Sequence, residues 1–269
     1  KISLWLLFTS LSLSAFSQSG IADSTLSKIE GEKSASKRMR TLVQDGLQIM
    51  TISASRGLKY SELAKADTLY VTDPYLLDSL YKFTAHCYGN INNRTKTLEN
   101  HLKRIEVLSA LDTLSKPLAS AYFETAHVFK SQGNDELALP YFLKSREVSE
   151  QTGYKTQEGQ VLLDLGEISF KENNPGKAIT FYEESVEIFE EDGRFLFLVG
   201  LGKSKIAQVY ASQNKKSLAT KYCEEALALV DTSEVRFIDY TGEIFVNVGK
   251  IYLGQKEYRD AISQFSIAR

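Results

Sequence analysis

Residues 165–185 read LGEISFKENNPGKAITFYEES. Apolar side chains recur at three- and four-residue spacing on both sides of Asn173-Asn174-Pro175-Gly176, the pattern of two amphipathic helices joined by a tight turn. Side-chain size follows a register of its own. Gly166 lies in the first helix; Ala178 follows twelve residues on, Tyr182 sixteen on and Ser185 nineteen on.

The same register recurs on either side. Ala126 is followed by Phe129, Ala138, Phe142 and Ser145. Ala207 is followed by Tyr210, Ala219, Cys223 and Ala226, and Gly249 by Tyr252, Ala261, Phe265 and Ala268. The four anchors, at 126, 166, 207 and 249, are 40, 41 and 42 residues apart. A small anchor lets the second helix of a pair approach closely, and the small residue twelve on meets it. The ring four further on is expected to fill the space between one helix pair and the next. A weaker copy begins at Ala85 and Tyr88, 41 residues before Ala126. Its second helix matches by hydrophobicity only when shifted one residue, to Leu98, Leu102 and Ile105. Residues 38–51 and 58–70 read as a degenerate first pair.

These residues resemble tetratricopeptide repeats, in the longer variant of 40–42 residues found in kinesin-light-chain-like and many bacterial proteins. Ser169 and Cys223 stand where that pattern usually carries an aromatic ring, each beside one, Phe170 and Tyr222. The resemblance is clearest over residues 118–269. It implies an all-α, right-handed superhelical solenoid of antiparallel helix pairs, with the first helices lining a concave face. In such repeats the residue after the small anchor points into that face, which assigns His86, His127, Glu167, Gln208 and Lys250 to a groove for a protein or peptide partner. Carboxylate-binding members of the family carry a Lys, Arg and Asn cluster in the groove, and this mixed series does not. An extended peptide or a partner helix is the expected occupant.

The N-terminus carries a different signal. Lys1 precedes an apolar run over 2–16, which ends at Ala15-Phe16-Ser17. That run is shorter than the roughly 20 residues a spanning helix needs. It reads as a cleaved signal peptide over 1–17, followed by a polar linker over 18–36 and the repeats over 37–269. The chain is therefore expected to be exported, to the periplasmic or extracellular side. Cys87 and Cys223 lie in different repeats, so two free thiols are expected rather than a bridge.

Thirty-two basic and thirty-four acidic residues leave a net charge of −2, too little field to attract nucleic acid. Apolar residues make up 43% of the chain, too many for a chain disordered throughout. The three histidines, His86, His101 and His127, have no Cys or further His at ligand spacing, and no metal or cofactor is expected. No nucleophile motif or phosphate loop occurs, so no catalytic residue is assigned. The leading functional reading is the input region of a membrane-bound regulator, resembling the extracytoplasmic repeats of bacterial sensor kinases and helix-turn-helix regulators. The alternatives are a free-standing exported adaptor and the non-catalytic part of an enzyme. The last helical pattern runs to Arg269 without a polar cap, so the natural chain is expected to continue past it, with a membrane tether downstream.

Overall fold

The computed structural model describes residues 22–111, 114–230 and 238–268. The signal-peptide reading over 1–17 lies outside them, as does Arg269. The described residues form helices joined by turns, with no strand among them. They fall into two compact units that divide between residues 132 and 133.

The first unit holds α1 (Asp23–Ile29), α2 (Ala35–Met50), α3 (Ala54–Lys65), α4 (Pro74–Asn90), α5 (Arg94–Ser109) and α6 (Lys116–Ser131). The second holds α7 (Asp135–Thr152), α8 (Lys155–Lys171), α9 (Pro175–Asp192), α10 (Leu196–Ser212), α11 (Lys216–Leu227), α12 (Ile238–Gly254) and α13 (Tyr258–Ile267). Helices α2 and α3, α4 and α5, α8 and α9, α10 and α11, and α12 and α13 pack as consecutive pairs. Helix α1 falls within the stretch read as a linker. It is held to α2 by Thr25 and Lys28, each donating to Asp45 Oδ2 at 2.8 Å.

From Ala85 onward the turn that follows each anchor has a fixed chemistry. Seven residues after the anchor the backbone is left-handed, at Asn92, Gly133, Asn173, Asn214 and Lys256, with φ from 57° to 73°. Gly and Asn adopt that conformation readily and close the preceding helix. The next residue caps the following helix where it is Asn. Asn93, Asn134 and Asn174 accept from the N–H groups of Lys96, Leu137 and Lys177 at 3.0–3.2 Å. At the same position Lys215 and Glu257 supply no side-chain cap. Lys256 is the misfit among the five turn residues. Lys256→Gly is expected to raise stability by about 1 kcal/mol, read as a higher urea midpoint at unchanged m-value; a lower midpoint would contradict it.

The size register is a packing rule, with one correction. The ring sixteen residues after the anchor sits on the anchor of its own pair at Gly166 and Gly249. A β-carbon on Gly166 would lie 2.6 Å from Tyr182 Cδ1, and one on Gly249 would lie 2.7 Å from Phe265 Cε1. Ala126, Ala138, Phe142, Ala178, Ala207, Ala219 and Ala261 are buried, as the register requires. Gly166→Leu is expected to cost about 1–3 kcal/mol by overpacking. Tyr182→Ala in the same chain should recover part of that loss, and strictly additive penalties would show that the two do not touch.

The upstream copy keeps the register without a shift. Twelve, sixteen and nineteen residues after Ala85 stand Thr97, His101 and Arg104, all buried, whereas Leu102 is exposed. The hydrophobic match to Leu98, Leu102 and Ile105 is wrong because this helix turns its polar residues inward. The first pair is present too, as α2 and α3, with Gly46 against Phe83 and Gly57 against Cys87. Both cysteines are free and buried, and burial pushes each thiol up to about 12.

Candidate functional site

In the second unit, polar residues gather on the first helices of the pairs. Positions three apart share a helix face, so the residue after the anchor lies beside the residue two before it. That earlier position reads Asp164, Lys205 and Asn247 on α8, α10 and α12. Lys205 Nζ lies 2.7 Å from Glu243 Oε1 and 3.7 Å from Glu167 Oε2. Lys171 Nζ lies 3.1 Å from both Glu167 Oε1 and Asp135 Oδ2. Burial alone would lower the Lys171 pKa, but its hydrogen bonds to Asp135 and Glu167 outweigh that and raise it. Asn247 Nδ2 donates to Ser204 Oγ at 3.1 Å, and the Ser204 hydroxyl donates to the Leu201 carbonyl at 2.8 Å. The result is a chain of alternating charge, Asp135, Lys171, Glu167, Lys205 and Glu243, laid across α7, α8, α10 and α12.

Gln208 and Lys250 come together further along α10 and α12, three residues after Lys205 and seven after Glu243. They line a cleft of about 360 Å³ with Phe170, Ile251, Lys216 and Gln255 among its walls. Of the five residues assigned to the groove, the structure thus brings these two to one cleft and places Glu167 in the ion-pair chain.

His86 and His127 lie in the first unit. The His127 ring packs edge-on to Phe123, with centroids 4.3 Å apart. His86 Nε2 lies 3.8 Å from Glu124 Oε2, at the mouth of a buried charge cluster. Arg104, fully buried on α5, donates from Nε to Asp78 Oδ1 at 2.7 Å and from Nη1 to Glu124 Oε2. Nη1 also lies 3.3 Å from His101 Nδ1, and Lys82 Nζ lies 3.5 Å from Glu124 Oε1.

Burial dominates the ionisation of this cluster. It pushes the His101 imidazole down to about 4, against the pull of Glu124 and with help from Arg104, so the ring is neutral and Nδ1 accepts from Arg104. It also raises the Asp78 carboxyl despite the Arg104 contact. Glu124 goes the other way. Desolvation pushes its carboxyl up, but His86, Arg104 and Lys82 outweigh it and hold it at about 2. The two carboxylates differ because Glu124 faces several cationic or donating groups, whereas Asp78 rests mainly on one guanidinium.

Sequence reasoning passed over Lys205, Glu243, Arg104, Asp78 and Glu124. One signal was present in the register. Two residues before the anchor, four successive repeats carry a polar residue, Glu124, Asp164, Lys205 and Asn247.

Residues 117–191 match the tetratricopeptide repeat family. No curated protein sequence matches the chain. Among solved structures, BtubC (BKLC) from P. vanneervenii superposes with a TM-score of 0.63 at 19% identity, over 82% of this chain and 89% of that one. A putative kinesin light chain from Podosopora anserina, with nearly identical TPR-like repeats, gives 0.57 at 13% identity, over 74% and 95%. A Rap protein complexed with Competence and Sporulation Factor gives 0.63 at 13% identity, over 90% and 67%. This chain has the all-helical fold of tetratricopeptide-repeat solenoids, and its residues 117–191 carry that family's sequence pattern.

Proposed function

We propose that the chain is a non-catalytic interaction scaffold that holds an extended peptide or a partner helix on the first-helix face of its second unit. The observation that carries this reading is the polar strip from Asp135 to Glu243, which crosses the first helices of successive pairs. Such a strip offers ion-pair and hydrogen-bond partners at successive repeats, the spacing an elongated ligand needs. The solved Rap complex supports it as an example of this fold bound to another factor.

The apolar run over 2–16 supports export, and with it a sensing role as the N-terminal input region of a membrane-bound regulator. Among the described residues no helix is long and apolar enough to cross a membrane, so this reading places the tether outside them.

A photoreactive amino acid tests the scaffold reading directly. Placed at Gln208 in the producing cell, it is expected to give a discrete adduct with one partner; placed at exposed Glu183 on α9, it should give none. Equal adducts from the two positions, or adducts from Glu183 alone, would move the working face elsewhere.

A further inference from the structure

Helix α5 sits in the first unit on a mostly polar face. Among its buried residues only Leu108 is apolar; the others are Thr97, Asn100, His101 and Arg104. Its further apolar side chains, Leu98, Ile105 and Val107, are half-buried. The Thr97 hydroxyl donates to the Asn93 carbonyl at 2.9 Å and Asn100 Nδ2 to the Lys96 carbonyl at 2.7 Å, so both bonds close within α5 and its cap. The polar ties that cross from α5 to other helices therefore fall to Arg104 and His101. Helix α9, which holds the equivalent place in the second unit, instead buries Ala178, Tyr182, Ser185 and Phe189.

Those ties balance in charge only while His101 is neutral. Helix α5 packs on α4 and α6. From α4 the ring meets Lys82 and His86, with Asp78 beyond Arg104, and from α6 it meets Glu124. Two cations, Arg104 and Lys82, thus stand against two carboxylates, Asp78 and Glu124. A proton on His101 adds a charge with no carboxylate of its own. It also turns Nδ1 from an acceptor into a donor, 3.3 Å from the Arg104 Nη1 that donates to it. The nearest acid, Glu124 Oε2, lies 3.5 Å from that nitrogen and already accepts from the same guanidinium. Moving α5 out into water relieves the conflict, because the solvent can then hydrate both cations.

The second unit is built differently. All three histidines, His86, His101 and His127, precede the division between residues 132 and 133. In the second unit Asn247 donates to Ser204 and Ser185 to the Gly159 carbonyl, buried bonds between groups that do not titrate. Mild acid is sensed by imidazoles rather than by ammonium or carboxylate groups.

We propose that α5 is an acid-released helix: proton uptake at His101 frees it from α4 and α6 while the second unit keeps its packing. The docked ring resists the proton down to about 4, because burial disfavours its charge, and a released ring takes it at the ordinary 6.5. The released state therefore gains population as pH falls through that window, by about twentyfold between pH 7 and pH 5. Release uncovers the faces of α4 and α6 that flank α5, a surface hidden at neutral pH.

Hydrogen exchange of the full chain at pH 7 and pH 5, resolved by helix and corrected for intrinsic exchange rates, tests it. Protection in α5 is expected to fall about twentyfold, and in α8 to α13 by no more than about threefold. His101→Gln should bring the fall in α5 down to the level of the second unit, whereas His86→Gln should leave it near its native size. The contrast between helices of the native chain stands without either variant. An equal loss of protection in both units would show a single opening of the whole chain and overturn the release of α5. Unchanged protection in α5 would overturn it too. A loss removed by His86→Gln but not by His101→Gln would move the proton to the mouth of the cluster and overturn the role given to His101.

Discussion

Arg104→Leu is expected to destabilise the first unit by about 3–5 kcal/mol, because it leaves Asp78 and Glu124 in the interior without their shared counter-ion. The guanidinium is 1% exposed and reaches both carboxylates from α5, bridging α4 and α6. Removing it strands one carboxyl already raised by burial and another held ionised only by its neighbours. The ion pairs need not be a net source of stability for this to hold. Replacing Asp78, Arg104 and Glu124 together by apolar residues of similar volume should be near neutral, or stabilising by about 1–4 kcal/mol. Urea unfolding of the single and triple variants separates the two statements. A single variant within 1 kcal/mol of wild type would mean that water reaches the cluster.

The second large effect is acid lability, and it traces to His101. Its folded value of about 4 lies below the ordinary 6.5, so the neutral ring is the form that the fold accepts. Its contribution is fully present above pH 6.5 and is lost as pH falls through the window from 6.5 to about 4, while the unfolded chain takes up a proton that the folded chain refuses. The gap corresponds to roughly 3 kcal/mol, most of it spent by pH 4.5. Glu124, held at about 2, adds a loss of the same sign only below the ordinary carboxylate range. Asp78, whose carboxyl is raised, works in the opposite sense and relieves a little of the strain on acidification. His101→Gln keeps an acceptor near Arg104 and has nothing to titrate. Unfolding free energies at pH 7 and 4.5 should therefore differ by about 2–3 kcal/mol less in the variant than in the native chain. Equal pH slopes would show that another group governs the acid transition.

Both effects come from a part of the molecule whose repeats the sequence shows only faintly. From Ala126 onward the helix pairs were legible because close packing leaves a local mark. A glycine that must accept a ring sixteen residues later constrains two positions at fixed spacing, and Gly166 with Tyr182 and Gly249 with Phe265 show that constraint directly. The Asn and Gly turns were legible for the same reason, since a left-handed residue and the cap after it need particular side chains wherever the chain goes next. Around α5 the same offsets hold, but their occupants are Thr97, His101 and Arg104. Hydrophobicity, the signal used to find the register, then points to the wrong residues.

Polar residues were the hard part throughout. An Arg on a helix reads as solvent-facing until one knows that the neighbouring helices bring Asp78 and Glu124 to within hydrogen-bond reach. Lys205 and Glu243 likewise stand 38 residues apart along the chain, and only stacking makes them a pair. The sequence by itself determined the helices, their pairing and the small-to-large contacts, because those depend on sterics at short, fixed separations. The tertiary structure alone decided which charges are buried, which are matched and which lysines are left facing an open cleft, because electrostatic partners are set by the distance between helices in space and not by their spacing in sequence.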